Sequence, residues 1–305
     1  MRCSRSGITL PALVLALWPC ASLLAQDYEI HLHRPQIAGQ KYHLSASGRS
    51  TQTRVDKSGD KILRNDSAKF SVECECTVTV LAVDAKGKPS KLSLEIERLS
   101  RTDDSEAKEL MSKGSVVTVG MKDGMEVSEM DGHRLSLPTQ EALTVVLPLD
   151  PNGPTDDELY GTSDRKKPGD HWDANIEAIA KDLLRRAAMV KQDDLIGTVS
   201  FEKLVKVGQT DCLQINGLVD CSKYVPEVPR GVKVEKGFLR IGFTEKLPVA
   251  ASMPAVESSQ TANVGYTLRG RPDPAGDEIT IDVGAIRNSF SRVTNVQEAG
   301  ETAPK

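Results

Sequence analysis

The stretch Lys166-Lys167-Pro168-Gly169-Asp170-His171-Trp172, with the helical pattern that follows it from Asp173 to Met189, decides the fold. Asp173 is suited to cap this helix, and Trp172 is predicted to anchor its first turn. The apolar residues of the pattern recur at the spacing of one helical face: Ile176, Ile179, Ala180, Leu183, Leu184 and Ala187. A helix with a single apolar face must pack against another layer, and we expect that layer to be the concave face of a sheet.

Strand patterns flank this helix on both sides. Before it, Lys41 to Val55 is typical of a long, mostly polar strand, and Phe70 to Val83 alternates between apolar and polar residues, as a half-buried strand does. After it, strands are predicted at Ile196 to Val207, Cys212 to Ile215, Leu218 to Cys221, Lys233 to Thr244, Val264 to Arg269 and Glu278 to Val283. The fold class is therefore predicted to be mainly β (α+β), a large antiparallel curved sheet or half-barrel with one central amphipathic helix.

Turn and breaker residues divide the chain. Asp123-Gly124 is a favoured two-residue hairpin turn, and Thr139 to Leu147 fits equally a short helix capped by Thr139 and a buried strand. The Pro-, Gly- and Asp-rich residues 150–165 are typical of a linker, and residues 150–172 are predicted to form the hinge. We expect an N-terminal β-rich half over residues 26–149, a second half over residues 173–296 that includes the central helix, and a disordered tail over residues 297–305.

Residues 1–25 have the layout of a secretory signal peptide, because a basic start is followed by an apolar run that ends at Ala25. A lipid anchor at Cys20 is disfavoured, since the bulky Trp18 and the rigid Pro19 precede it. No later stretch is long and apolar enough for a transmembrane span. Removal of residues 1–25 would change the net charge from −4 to −6. We therefore expect a secreted or periplasmic protein without nucleic-acid partners.

Four cysteines follow residue 25, and in an exported chain they predict disulfides. If Asn216-Gly217 is the turn of a hairpin, Cys212 lies opposite Cys221, so we predict a disulfide between them. The alternative is one longer strand through Asn216-Gly217 that keeps the two thiols apart.

The other two cysteines, Cys74 and Cys76, are two residues apart on one strand face, where a bond between them is strained. They fit buried free thiols, a rare Cys-x-Cys bridge, or half of a metal site completed by His31 and His33. Nothing in the spacing brings the two pairs together, so no metal and no other cofactor is predicted.

Catalytic motifs are weak in this sequence. Two Ser-x-x-Lys matches lie in turn-like segments, and the Asp170-His171 pair has no assignable nucleophile or metal beside it. Gly169, Asp170 and Trp172 are explained by a turn, a cap and an anchor for the helix. No catalytic residue is predicted, and a hydrolase is the least favoured function.

The combination of Asp157-Glu158-Leu159-Tyr160-Gly161, then Pro168-Gly169-Asp170-His171-Trp172 and a helix, then Gly197-Thr198-Val199, resembles bacterial exported proteins of unknown function. Those proteins look like large antiparallel β half-barrels. A curved sheet that holds a helix also resembles the periplasmic lipoprotein-carrier (LolA-like) fold, whose members cradle acyl chains on the concave face. This resemblance implies an apolar ligand, but it transfers no binding residue, because fold does not imply function.

Three functions follow, each with a different structural expectation. A non-enzymatic carrier of an apolar small molecule or lipid in the cell envelope is the leading one, with a cavity lined by Trp172, Ile176, Ile179 and Leu183. A structural or interaction protein of the envelope would have a filled core. A hydrolase would have a polar cluster of perturbed acidity beneath a cleft.

Overall fold

A computed structural model of the protein describes residues 26–103, 106–228, 230–273 and 276–297. The predicted signal peptide therefore lies outside the described residues, as do residues 298–305 of the predicted tail, while Gln297 ends the last strand. The strands are β1 Lys41–Ser58, β2 Lys61–Val83, β3 Pro89–Asp103, β4 Glu106–Met111, β5 Val116–Lys122, β6 Met125–Met130, β7 His133–Arg134, β8 His171–Asp173, β9 Ala188–Met189, β10 Leu195–Val207, β11 Thr210–Cys221, β12 Val225–Pro226, β13 Val232–Pro248, β14 Glu257–Gly270 and β15 Ile279–Gln297. The α-helices are α1 Leu137–Val146, α2 Asp156–Tyr160 and α3 Ile176–Arg185.

In the described residues, thirteen strands form one antiparallel sheet, which confirms the predicted fold class. The order across it is β7-β6-β5-β3-β2-β1-β15-β14-β13-β11-β10-β8, with β4 paired to β3. The two outermost strands of this order do not meet, so the sheet is curved but open. The last strand, β15, lies between β1 and β14 and joins the strands that precede the central helix to those that follow it.

One face of the sheet, here called the inner face, carries the apolar side chains and is covered by the helices. Because directly paired residues in an antiparallel sheet share a face, the register extends this face from strand to strand. Among the described residues, three buried clusters occur, and two of them are covered by helices. The first packs around α1 and includes Leu44, Val78 and Leu94. The second packs beneath α2 and α3 and includes Phe201 and Ile215.

The central helix is shorter than predicted, and its cap is a different residue. It runs from Ile176 to Arg185, and the side chain of Asn175 accepts a hydrogen bond from the backbone N–H of Ala178 (3.1 Å). Asp173 is not the cap, because it lies in β8, where it pairs with Thr198. Leu184 is 62% exposed, so it does not belong to the packed face that the sequence pattern predicted.

The stretch predicted as helix or strand is the helix α1. It begins at Leu137 rather than at Thr139, with Pro138 in its first turn, where proline is tolerated. It lies directly over Gly48 of β1, because a Cβ atom at that position would overlap the Val145 side chain. Gly48 therefore permits the close approach of helix and sheet.

Residues 150–165 are more ordered in structure than the linker that we predicted. They contain α2, whose N-terminus is stabilised by a capping box. The Thr155 side chain accepts a hydrogen bond from the backbone N–H of Glu158, and the Glu158 carboxylate accepts one from the backbone N–H of Thr155. Leu159 is buried in the second cluster. The capping box and the buried Leu159 together stabilise a short helix in a segment whose composition predicted a linker.

The predicted hairpin at Asn216-Gly217 is wrong, since both residues lie inside the continuous strand β11. Cys212 and Cys221 are therefore nine residues apart on one strand. At about 3.3 Å per residue, their α-carbons are roughly 30 Å apart, whereas a disulfide requires less than about 7 Å. Both cysteines are free, and the disulfide prediction is wrong for the same reason. The Asp123-Gly124 turn, in contrast, joins β5 to β6 as predicted.

Within the described ranges, no helix is long and apolar enough to cross a membrane.

Candidate functional site

The four predicted ligand-binding residues lie in or against the second cluster. Ile179 and Leu183 are 4% and 7% exposed there. Ile176 packs over Gly197, where a Cβ atom would lie 3.1 Å from its Cδ1. Trp172 belongs to the edge strand β8, and its Nε1 donates a hydrogen bond to the backbone carbonyl of Tyr160 (2.7 Å). These contacts are those of core packing, and a ligand-binding role for these residues stays a prediction.

A cavity of about 380 Å³ lies on the inner face between the two clusters, and we call it the inner-face cavity. Its floor is formed by residues of the sheet, and its roof by residues 32–36, residues 147–150 and the start of α2. One wall is apolar and is lined by Leu32, Tyr42, Leu44, Leu92, Val146, Leu147, Leu149 and Val293. The opposite wall is polar and is lined by Arg34, Gln36, Lys88, Asp156, Glu245, Ser258 and Ser291.

The strand register builds the floor of the polar wall. Glu245 of β13 pairs with Ser258 of β14, which pairs with Ser291 of β15, so the three side chains form a row on the inner face. Apolar residues precede and follow Glu245 on its own strand, since Phe243 and Leu247 share its face. The row is the polar break between the two apolar clusters.

The Glu245 carboxyl is the most perturbed acid of the cavity. Burial, and to a smaller extent the nearby Asp156 carboxyl, raise its pKa to about 8, although Arg34 opposes both effects. Ser258 supplies a side-chain hydrogen bond. Among the described residues, Glu245 has no cation within the 4.0 Å of an ion pair, and desolvation therefore keeps it mostly neutral at pH 7.

Asp156, the first residue of α2, faces the same cavity. Burial raises its pKa, and His33 and Lys88 oppose this shift by electrostatic attraction. Asp156 is exposed to solvent, although many protein atoms lie close to its carboxyl group and desolvate it. Both observations follow from its position on the cavity wall. Within the described part of the chain, its carboxylate accepts no side-chain hydrogen bond and forms no ion pair.

Arg34 reaches the polar wall from the roof. Its two terminal nitrogens donate to the backbone carbonyls of Ala250 (3.0 Å) and Pro248 (2.9 Å), which fixes the guanidinium against the loop after β13. Its Nε–H and the Oε1 of Gln36 are buried and have no hydrogen-bond partner among the described residues. Unpartnered buried polar atoms are costly, and these two lie in residues that line the polar wall.

The remaining cation of this wall is bound to the backbone. Lys88 donates from Nζ to the carbonyls of Gly153 (3.2 Å) and Pro154 (3.0 Å). Asp157, which follows Asp156, accepts from the backbone N–H of Leu32 (2.7 Å) and lies within electrostatic range of Arg34. Asp150, which is paired with Arg185 and Arg186, also lines the cavity, so the lining combines three carboxyl groups with the permanent cations Arg34 and Lys88.

The structure does not bring the histidine and cysteine pairs together. Cys74 and Cys76 are buried in the first cluster with their sulfur atoms 4.0 Å apart. His31 is exposed beside Glu29, and His33 contacts the carbonyl of Lys86 at 2.7 Å. Among the described residues, no cluster of His, Cys, Asp and Glu has the arrangement of a metal site.

Sequence reasoning missed the polar wall, although one signal for it was present. Leu239, Ile241, Phe243, Glu245 and Leu247 follow one another at period two on β13, so Glu245 is the single acid in an otherwise apolar row. The predicted strand ended at Thr244, and the residue that breaks the pattern was assigned to no element. Arg34 and Asp156 had no such signal, because only the fold brings them to the cavity.

Comparisons with known proteins yielded only distant structural likenesses. No protein-family model and no curated protein matches the chain. Lipovitellin, in a structure titled for its lipid–protein interactions, is similar over 88% of this chain and 26% of its own, with 9% identity and a TM-score of 0.36. OpdQ of Pseudomonas aeruginosa is similar over 84% of this chain and 98% of its own, with 6% identity and a TM-score of 0.24. The chain spans about a quarter of the lipovitellin chain, and TM-scores this low support no conclusion about fold or function.

Proposed function

We propose that the protein binds a small amphiphilic molecule in the inner-face cavity. The observation that supports this is the division of one cavity into an apolar wall and a polar wall. An amphiphile would place its apolar part against residues such as Leu92 and Val146 and its polar group at the other wall. The LolA-like resemblance and the export signal expected over residues 1–25 fit a carrier in the cell envelope.

The size of the cavity limits the ligand. At about 380 Å³ it lies near the lower end of the roughly 300–1,000 Å³ range of small-molecule sites. A single alkyl chain or one small ring system fits this volume, whereas a lipid with several chains does not. The cavity also favours a binding function over that of a structural protein with a filled core.

Titration with N-phenyl-1-naphthylamine, an uncharged fluorophore whose emission rises in apolar surroundings, tests this proposal. We expect saturable binding to the purified protein. Ser258→Phe would fill the cavity and weaken binding by about tenfold or more, which corresponds to about 1.4 kcal/mol. Ser259→Phe is the matched control, because the neighbouring residue points to the opposite face of the same strand and should leave binding unchanged.

A second variant distinguishes loss of binding from loss of the folded structure. Ser291→Leu fills the cavity from β15 with a smaller side chain, and thermal unfolding of both variants would show that the fold is retained. The proposal fails if the fluorophore does not saturate, or if folded Ser258→Phe and Ser291→Leu bind it as tightly as the unchanged protein. Native mass spectrometry before and after organic extraction would show whether the protein carries a ligand when it is isolated.

Hydrolysis is a second candidate, because the cavity contains the polar cluster of perturbed acidity that was expected of an enzyme. Glu245, with its raised pKa, is suited to act as a general acid, and Asp156 would be its partner carboxylate. Turnover of a panel of p-nitrophenyl esters and glycosides tests this role. Activity that Glu245→Gln abolishes would establish it, and a folded protein without turnover of the whole panel would leave ligand binding as the function.

A further inference from the structure

We infer that the polar group of the ligand is a protonated amine, which binds between Glu245 and Asp156. This inference rests on the proposed binding function of the inner-face cavity and specifies the chemical class of the ligand.

The first observation concerns the charged residues that line the polar wall. Asp150, Asp156 and Glu245 contribute three carboxyl groups to the lining, whereas Arg34 and Lys88 contribute two permanent cations. Asp150 is paired with Arg185 and Arg186, so Asp156 and Glu245 are the two lining carboxyls without an ion-pair partner among the described residues. Burial raises the pKa of both groups, and a singly charged organic cation between them would stabilise the ionised form.

The second observation is that the two cations are directed away from the carboxyls of Glu245 and Asp156. Arg34 and Lys88 each direct two donors to backbone carbonyls, and neither lies within ion-pair distance of Glu245 or Asp156. Both residues line the cavity, Glu245 as a half-buried residue of the sheet and Asp156 as a residue that is also exposed to solvent. An ammonium group has three donors, and the oxygen atoms of the two carboxyls provide acceptors for them.

An anionic head group fits this wall less well. Its best partners would be the terminal N–H groups of Arg34 that are not directed to the Ala250 and Pro248 carbonyls. In that position it would lie beside the carboxyls of Asp157 and Glu245, both of which interact electrostatically with Arg34. The Asp157 carboxylate would repel an anion bound there, so the wall favours an amine over a carboxylate or phosphate.

Proton balance makes the inference measurable. The amine enters as R–NH3⁺, and Glu245 changes from –COOH to –COO⁻ as its proton passes to the solvent, so the net charge of the cavity does not change. Below a pKa of about 8, binding therefore releases close to one proton and tightens by up to tenfold for each pH unit. Above that value the affinity levels off. Asp156, Asp157 and Arg34 face Glu245, and Tyr42, His33 and Lys88 line the same cavity.

Decylamine, decanol and decanoic acid form a set of probes with one chain and three head groups. Calorimetric titration of the purified protein near pH 7, in two buffers of different protonation enthalpy, gives both affinity and proton release. We expect decylamine to bind at least about tenfold more tightly than the other two, with release of close to one proton. Glu245→Gln should remove this preference and the proton release, while decanol still binds.

The control is Glu235→Gln, which removes an exposed carboxylate of the same strand that pairs with Arg269 (3.3 Å) and lies outside the cavity. It should behave as the unchanged protein does. If decanol or decanoic acid binds as tightly as decylamine, or if Glu245→Gln keeps the amine preference, the amine inference is overturned and the binding function stands. If none of the three probes binds, the proposed binding function itself fails.

Discussion

The ring of Phe243 lies directly over Gly217 on the inner face of the sheet. The two residues pair across β11 and β13, and a methyl group on Gly217 would overlap three ring carbons, the farthest of them 2.9 Å away. The other side of the ring contacts Tyr160 at the end of α2, with the ring centroids 4.8 Å apart. A glycine in the middle of a strand thus positions the aromatic residue on which α2 rests.

Gly217→Ala is expected to destabilise the protein by about 1 to 3 kcal/mol, because the added methyl must displace the Phe243 ring and its contact with α2. Gly242→Ala is the matched control, since a Cβ atom there meets nothing closer than 3.8 Å, and its effect should be within about 0.5 kcal/mol. Urea unfolding followed by circular dichroism measures both. Equal stability of the two variants would contradict the observed packing.

The stability of the protein should fall as pH rises from about 4.5 to about 8. Glu245 has a higher pKa in the folded protein than its ordinary value of 4.5, so the folded state holds a proton that the unfolded state has lost over this range. The contribution is fully present below about pH 4.5, and its loss by pH 8 is on the order of a few kcal/mol.

Glu245→Gln tests this prediction directly, because glutamine keeps the shape of the neutral acid and does not titrate. The variant should match the unchanged protein near pH 5 and exceed it in melting temperature at about pH 8. Glu235→Gln serves again as the control on the same strand. A Glu245→Gln variant that loses stability with rising pH as steeply as the unchanged protein would show that Glu245 is not the group responsible.

Trp172→Phe should cost about 1 to 2 kcal/mol in the free energy of unfolding. The substitution keeps most of the apolar surface but removes the donor to the Tyr160 carbonyl and leaves that half-buried acceptor without its partner. Denaturant unfolding by far-ultraviolet circular dichroism is the suitable measurement, since the tryptophan signal itself is removed. Unchanged stability would mean that the hydrogen bond is replaced by solvent at no cost.

Cys212 and Cys221 should both be recovered as thiols from the folded monomer, even after expression with export into an oxidising compartment. Their separation along β11 is several times the reach of a disulfide. Alkylation under denaturing, non-reducing conditions followed by peptide mass mapping checks this. A crosslinked peptide that joins the two residues within one chain would require β11 to be broken at Asn216-Gly217, as in the hairpin that the sequence suggested.

The sequence predicted the parts of the fold that depend on local pattern. The alternation in β2 and β13 fixed which face of each strand is buried, and the Asp123-Gly124 pair specified its own hairpin turn. The same local rules misassigned Asn216-Gly217, because a turn-forming pair stays extended when strands on both sides satisfy its backbone hydrogen bonds. They also extended α3 beyond Arg185 and placed its cap at Asp173, since pairing of that residue with β10 has no sequence signal.

The inner-face cavity is the feature that the sequence predicted least. By itself the sequence determined the chemical nature of each row of side chains, including the single acid at Glu245 among apolar neighbours. Only the tertiary structure decided that this acid faces Asp156 and Arg34, which lie far from it in the chain. The physical reason is that alternation is a property of one strand, whereas desolvation and electrostatic repulsion depend on which distant residues the sheet and its helices bring into the same enclosed volume.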